Sequence, residues 1–387
     1  MRLAVVATVY RPDSHADVLL ARWFEALPGD RDWGWPGPKS SIVSAYVAQM
    51  PKSDLSRQRF QENSVSMFPS IAEALRCGGS TLAVDGVLLI AEHGDYPYNK
   101  LNQQLYPRAE MFSEIADVFA ADGRAVPVFV DKHLSWDFDR AKCMLERAEA
   151  LGFEVLSSSS IPFCRHDPLF DIDGDRVDEA LAIFPLVDSG RFESYGYHSL
   201  EFVQHTLERR CGGASGVERV TAWRDDTVWA AAESRELPRQ LFERVYAHAF
   251  PELPSASSIA GQQIATSSYA FRIEYGDGLK VTHIGLADHG AFAFGVHRHG
   301  RVDVTVARAG AGQLGRFANF AILARVVEDW LGGGAPPFPK TRALLACGTL
   351  QAMAQAVSLP PGTPQPTPHL SGLSYPPSSQ RTGIDYL

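Results

Sequence analysis

The feature that most constrains this chain is the regular exchange, over roughly its first 157 residues, of short β-branched runs with stretches of helical periodicity. "LAVVATVY" (3–10) reads as a first strand and "SHADVLLARWFEAL" as a helix with Ser14 at its N-cap. "SIVSAYVAQ" from Ser41, "VDGVLLI" from Val84, "AVPVFVDKH" from Ala125 and "FEVLSSSS" from Phe153 are further strands. Between them lie "MFPSIAEALRCGG", "AEMFSEIADVFAADG" and "DFDRAKCMLERAEALG", the last with Ala141, Met144, Leu145, Ala148 and Leu151 on one face. Strands that each lead into a helix imply a parallel sheet covered on both sides, in which ligands bind beyond the carboxyl ends of the strands.

From Ile161 the pattern changes. A long helix, "YGYHSLEFVQHTLERR", precedes alternating runs such as "SYAFRIEYGDG", "LKVTHIGLADHG" and "RVDVTVARAG", as expected of an α+β domain with a largely antiparallel open sheet. The fold class is therefore α/β: a Rossmann-like domain over 1–157, an α+β substrate and oligomerisation domain over 158–330, C-terminal helices over 331–358 that pack back, and a Pro/Ser-rich tail over 359–387 draped over the surface or partly disordered.

With 36 basic against 45 acidic side chains, a formal charge of -9, the chain lacks the basic excess that nucleic acid or an anionic membrane surface would need. The apolar start is short and no later run approaches a membrane span, so a cytoplasmic protein is expected. The five cysteines are scattered without CxxC spacing, which fits buried thiols better than a disulfide or zinc framework.

The chemistry concentrates at strand ends. "LLIAEHGDYPYN" (88–99) runs from an apolar strand into Glu92, His93 and Asp95, and the next strand ends in Asp131, Lys132 and His133. His198 and Glu201, three apart on a helix, share a face that would point at the same edge. Such groups are costly to bury without a partner, so they face water or surround a ligand.

The order of elements resembles the Gfo/Idh/MocA family of sugar and polyol dehydrogenases. "VATVYRPDSHAD" stands where that family has its GxGxxGxxH fingerprint, "VPVFVDKHLSWDFDRAKCMLERAEALG" resembles the segment around its EKP motif, "ESYGYHSLEFVQ" its catalytic-histidine helix, and "TPHLSGLSY" its ending. The departures are marked. Aligned on His15, the three glycines fall on Ala7, Val9 and Pro12, and the second strand ends around Tyr46 without a ribose-binding acid. The EKP triplet becomes Asp131-Lys132-His133, and the acid expected four residues before the helix histidine is Ser194, with Glu193 one place off.

Imidazoles and carboxylates from separate elements form the ligand set of zinc, manganese or iron, and His93, Asp95, His133, His198 and Glu201 could supply one. The expectation is then an enzyme whose dinucleotide grip is degenerate. It would carry out metal-assisted proton transfer, hydration, hydrolysis or elimination on a small polar substrate, with Lys132, His198 and Glu201 as catalytic groups. Glu92, Tyr98, Arg108, Arg165 and His166 are candidate substrate-binding residues, and "YNKLNQQLYPRAEMF" (98–112) a candidate lid. The alternatives are an NAD(P)-dependent sugar or polyol oxidoreductase with altered cofactor binding, and a non-catalytic ligand-binding protein. The resembled family implies a homo-oligomer formed through the second-domain sheet.

Overall fold

The structure is a computed structural model that describes residues 1–24, 37–169, 171–186, 191–254, 267–308 and 317–377. Its first half is built from β1 (Arg2–Val9), α1 (His15–Phe24), β2 (Ser41–Gln49), α2 (Ser56–Glu62), β3 (Ser66–Met67), α3 (Ile71–Leu75), β4 (Gly86–Ile90), α4 (Arg108–Asp122), β5 (Val128–Asp131), α5 (Phe138–Leu151) and β6 (Val155–Ser158). The strands form one parallel sheet in the order β3-β2-β1-β4-β5-β6. Strand order reverses between β1 and β4, which places the ligand crevice of such a sheet at their carboxyl ends.

The continuous apolar runs follow from burial on both faces. Leu3, Val5 and Ala7 of β1 pack with α1 and with α9 (Ala318–Leu331), whereas Ala4 and Val6 belong to the core formed with α3, α4 and α5. The sequence punctuation holds at the helix ends: Ser14 Oγ accepts from Asp17 N, Asp137 caps α5 through Arg140 N, and α4 and α5 end on the left-handed Gly123 and Gly152.

The second half contributes β7 (Arg165–Asp167), β8 (Glu179–Pro185), α6 (Glu193–Leu207), β9 (Val217–Arg224), α7 (Asp226–Glu233), α8 (Arg239–Ala249), β10 (Ser268–Tyr275), β11 (Lys280–Leu286), β12 (Phe292–Arg298) and β13 (Arg301–Arg308). With β14 (Pro364–Pro366) these strands form an eight-stranded sheet in the order β14-β9-β10-β11-β8-β12-β13-β7, antiparallel except at β11–β8. α7 packs on β9 and β10, and α8 on β8, β12 and β13. The fit of α8 is close: a Cβ on Gly295 of β12 would lie 2.5 Å from Val245 Cγ2.

α10 (Lys340–Val357) packs on α5, α6 and β9, so that one apolar core runs from the first domain into the second. The tail is more ordered than its composition suggests. β14 adds a strand beside β9, Leu370 is fully buried, and Tyr375 hydrogen-bonds Glu208. A few apolar anchors and an edge strand offset the ordering entropy that the prolines leave small. Residues 378–387 of the expected tail lie outside the described residues.

Candidate functional site

At the carboxyl edge of the parallel sheet the chain after β4 turns sharply. His93 (φ 68°) and Gly94 (φ 115°) are consecutive left-handed residues, and a Cβ on Gly94 would meet the Tyr96 ring at 2.7 Å. This turn breaks the strand alternation, so Glu92 is directed inward, with 4% exposure. Arg108, the first residue of α4 and fully buried, bonds one carboxylate oxygen of Glu92, and Lys132 Nζ lies 3.0 Å from the other. Burial favours the neutral acid here, but the charges of Lys132 and Arg108 overcome it and hold Glu92 well below the usual carboxylate range.

Lys132 reaches across to the second domain. Its ammonium donates to Ser194 O at 3.2 Å and to His198 Nε2 at 3.4 Å, both on α6. With Nε2 accepting, the neutral His198 ring carries its proton on Nδ1, 2.5 Å from Ser159 Oγ at the end of β6. Burial, reinforced by the Lys132 charge, pushes His198 well below the ordinary imidazole range and keeps it neutral. Arg108 also donates to His133 Nε2 at 3.1 Å, and burial likewise depresses His133.

Two further side chains complete the edge. His15, the first residue of α1, places Nδ1 2.6 Å from Asp131 Oδ2 at the end of β5. Its ring lies edge-on to His93 (centroids 5.2 Å) and to Phe320 of α9 (4.9 Å), and 6.3 Å from the His198 ring. Glu193, in the first turn of α6, accepts from Gln104 N at 2.8 Å; burial pushes its carboxyl up to about 7. The 98–112 segment thus joins the strand end to the second domain, and Gln103 Nε2 donates to Trp136 O.

The candidate residues divide sharply. Glu92, Arg108, Lys132, His133 and His198 form one buried network, with His93 beside it. Glu201 sits a turn further along α6, paired with Arg342 at 3.4 Å and bonded to Ser158 Oγ and Ser159 N, outside the Lys132–His198 contact. Asp95 is exposed and engages Gln49 through its backbone. Tyr98 is 41% exposed beneath the Arg191 guanidinium. Arg165 and His166 lie on β7 at the edge of the second sheet, Arg165 exposed and His166 packed on Phe202.

The metal expectation is corrected by the same geometry. Among the described residues no three His, Cys, Asp or Glu side chains come together as an ion site. His133 Nε2 is taken by Arg108, both nitrogens of His198 are engaged, Asp95 faces water and Glu201 faces Arg342.

Solved structures share this architecture. Myo-inositol dehydrogenase from Lactobacillus casei, in complex with NAD(H) and myo-inositol, superposes with a TM-score of 0.59 at 11% identity, covering 95% of this chain and 96% of that one. GenD2 from gentamicin A biosynthesis, in complex with NAD, gives 0.56 at 16% identity over 95% and 96% of the two chains. The fold is that of the Gfo/Idh/MocA dehydrogenases. A putative NADPH-dependent oxidoreductase from Desulfitobacterium hafniense gives 0.56 at 11% identity, over 95% of this chain and 97% of that one. No protein-family model and no curated protein matches the sequence.

These neighbours overturn the expectation of a metal-assisted lyase or hydrolase and of a metal in preference to a nicotinamide: one is a dehydrogenase in complex with NAD(H), one is in complex with NAD, and one is described as a putative NADPH-dependent oxidoreductase. Beyond the ends of β4 and β5 an ammonium and a neutral imidazole meet, groups that could hold a substrate oxygen beside such a cofactor. At the phosphate end, Ala7, Val9 and Pro12 replace the glycines, Ser14 Oγ takes the amides of Arg11 and Asp17, and Asp17 takes that of Asp13. Gln49 at the end of β2 binds the Asp95 backbone in both directions (3.0 and 2.8 Å), which draws the loop after β4 across the end of β1. In this conformation the turn offers a pyrophosphate no cradle.

Proposed function

We propose that the chain is an oxidoreductase that interconverts a hydroxyl and a carbonyl on a small polyhydroxylated substrate, with a nicotinamide as redox partner. The observation that carries the reading is the Lys132–His198 contact. It joins the two domains beyond the strand ends, within a fold shared with myo-inositol dehydrogenase and with GenD2 bound to NAD. At 3.4 Å it is the longest of the three bonds made by Lys132, the others being 3.0 and 3.2 Å. A substrate oxygen entering between the two side chains would accept from Lys132, whose charge stabilises negative charge developing on that oxygen. Glu92 and Ser194 O hold the ammonium in place, and Ser159 holds the tautomer and tilt of His198.

A bound nicotinamide would supply the hydride acceptor or donor. Its phosphates would be reached once the loop after β4 releases Gln49. The test is a panel of polyols led by myo-inositol, with NAD+ and NADP+ in turn, monitored by the absorbance of the reduced nicotinamide. Polyol-dependent reduction that Lys132→Met abolishes supports the reading. Absence of reduction with every polyol, together with absence of NADH binding, refutes it.

A further inference from the structure

α6 grips the end of β6 at two points one turn apart. His198 and Glu201, three positions apart on the helix, both meet the buried pair Ser158–Ser159. His198 Nδ1 lies 2.5 Å from Ser159 Oγ, and Glu201 Oε2 accepts from Ser158 Oγ at 3.3 Å and from Ser159 N at 3.5 Å. Ser159 Oγ also accepts from Ile161 N at 3.0 Å, which fixes the hydroxyl from the first-domain side.

The tautomer of His198 depends on that hydroxyl staying in place. Which nitrogen of a neutral imidazole carries the proton is set by what the other nitrogen meets. Nε2 faces the Lys132 ammonium, which has no lone pair, so the proton belongs on Nδ1 and needs an acceptor there. Ser159 Oγ is that acceptor. If the end of β6 moved away, the ring could turn over, and Nε2 would no longer face a substrate oxygen in a fixed state.

Glu201 is a group that the fold keeps against its burial. A carboxyl with no exposure is unfavourable unless partnered, and Arg342 of α10, equally buried, places Nε 3.4 Å from Oε1 and donates to the Glu201 carbonyl at 3.0 Å. An apolar side chain would fill the same space without that desolvation. What the carboxyl adds is a directed hold on the two serines.

We infer that Glu201, held by Arg342, is a positioning residue for His198: it pins the end of β6 to α6 and so keeps the Ser159 hydroxyl against the imidazole. The inference rests on the oxidoreductase reading above and adds a residue to it. Glu201 acts only through the serines. Glu208 shares the same guanidinium, 3.6 Å from its Nε, but reaches to Tyr375 of the tail at 3.1 Å instead.

The test uses the full chain labelled with nitrogen-15 histidine. The wild type should show His198 as the Nδ1–H tautomer, with that proton exchanging slowly. Glu201→Gln keeps the volume, and Glu208 leaves Arg342 a counterion, so the fold is retained. Its one carbonyl oxygen goes to the guanidinium, and its amide group then meets Ser159 N as donor against donor. Exchange of His198 Nδ1–H should quicken about tenfold or more, with the second tautomer appearing, and Ser159→Ala should do the same. Glu208→Gln loosens the same arginine and should leave the His198 signals as in the wild type, which separates positioning from a general softening of α6. With myo-inositol and NAD+ as probes, Glu201→Gln should lower kcat about tenfold or more while KM stays within about twofold. An Nε2–H tautomer in the wild type, unchanged His198 exchange in Glu201→Gln, or an equal response in Glu208→Gln overturns the inference. These signals are read without turnover. If they respond as expected while the wild type oxidises no polyol, the positioning stands and the oxidoreductase reading falls; if polyol is oxidised and the signals ignore Glu201, the reverse holds.

Discussion

Glu92 Oε1 lies 3.0 Å from Lys132 Nζ while Arg108 bonds the other oxygen of the same carboxylate, so a single buried anion balances two buried cations. Removing one partner of a buried pair typically costs about 3–5 kcal/mol, because the remaining charge is left uncompensated. Glu92→Gln leaves two cations and is expected to lie at the upper end of that range. Chemical denaturation at neutral pH measures it; a loss below about 1 kcal/mol would show that water reaches both cations.

Gln49 ties the loop after β4 to β2 through two hydrogen bonds to Asp95. Gln49→Ala should free that loop and tighten NADH binding several-fold, because the phosphate end of the crevice is then uncovered. Fluorescence titration of NADH against the wild type and the variant checks this. Equal affinities would mean that the loop does not gate the crevice.

Glu193 is raised to about 7 by burial, against an ordinary value of 4.5. Its proton is therefore held more tightly in the folded state, so its contribution is fully present below about pH 4.5 and is lost as pH rises through about 7. At 1.36 kcal/mol per unit the loss amounts to about 3 kcal/mol. Glu193→Gln keeps an acceptor for Gln104 N and should flatten this part of the stability curve. Denaturant midpoints at pH 5, 6, 7 and 8 report it, and parallel curves for the two proteins would rule it out.

The tail anchors are also testable. Leu370 is fully buried, and its Cδ2 would lie 2.4 Å from a Cβ placed on Gly348 of α10, a close approach that only glycine permits. Ending the chain after Thr363 removes β14, Leu370 and Tyr375 together and should cost more than about 3 kcal/mol. Tyr375→Phe alone deprives Glu208 and Gln204 of their shared hydroxyl and should cost about 1–3 kcal/mol. Thermal melts of both variants decide the matter.

Much of the fold was legible because burial on both faces writes continuous apolar runs into β1, β4 and β5, and because glycines stop α4 and α5. The strand-end clusters were legible as a grouping of polar residues, and Lys132 and His198 do meet. The left-handed pair His93–Gly94 is what turns Glu92 into the network, and a positive φ at histidine has no sequence signature. The His15–Asp131 contact spans 116 positions and depends on α1 entering the crevice at a particular angle. The covering of the second sheet by α7 and α8 was equally hidden, since strands buried on one face and on two differ by only a few residues. Asp95 misled because a polar side chain in a turn looks the same whether its carboxylate or its backbone makes the contact.

The core that α10 threads through both halves bears on how this molecule could be rearranged. Leu344, Cys347, Leu350 and Met353 stand in one cluster with Val128 and Phe138 of the first half and with Val220 and Phe271 of the second. Cys347 Sγ accepts from Leu134 N, and Gln351 Oε1 from Phe138 N. A gene cut near residue 157 would therefore strip the first half of a helix encoded almost two hundred positions later. Neither half is an exchangeable module, and chimaeras that import a glycine-rich nucleotide domain from a relative would have to bring its C-terminal helix as well.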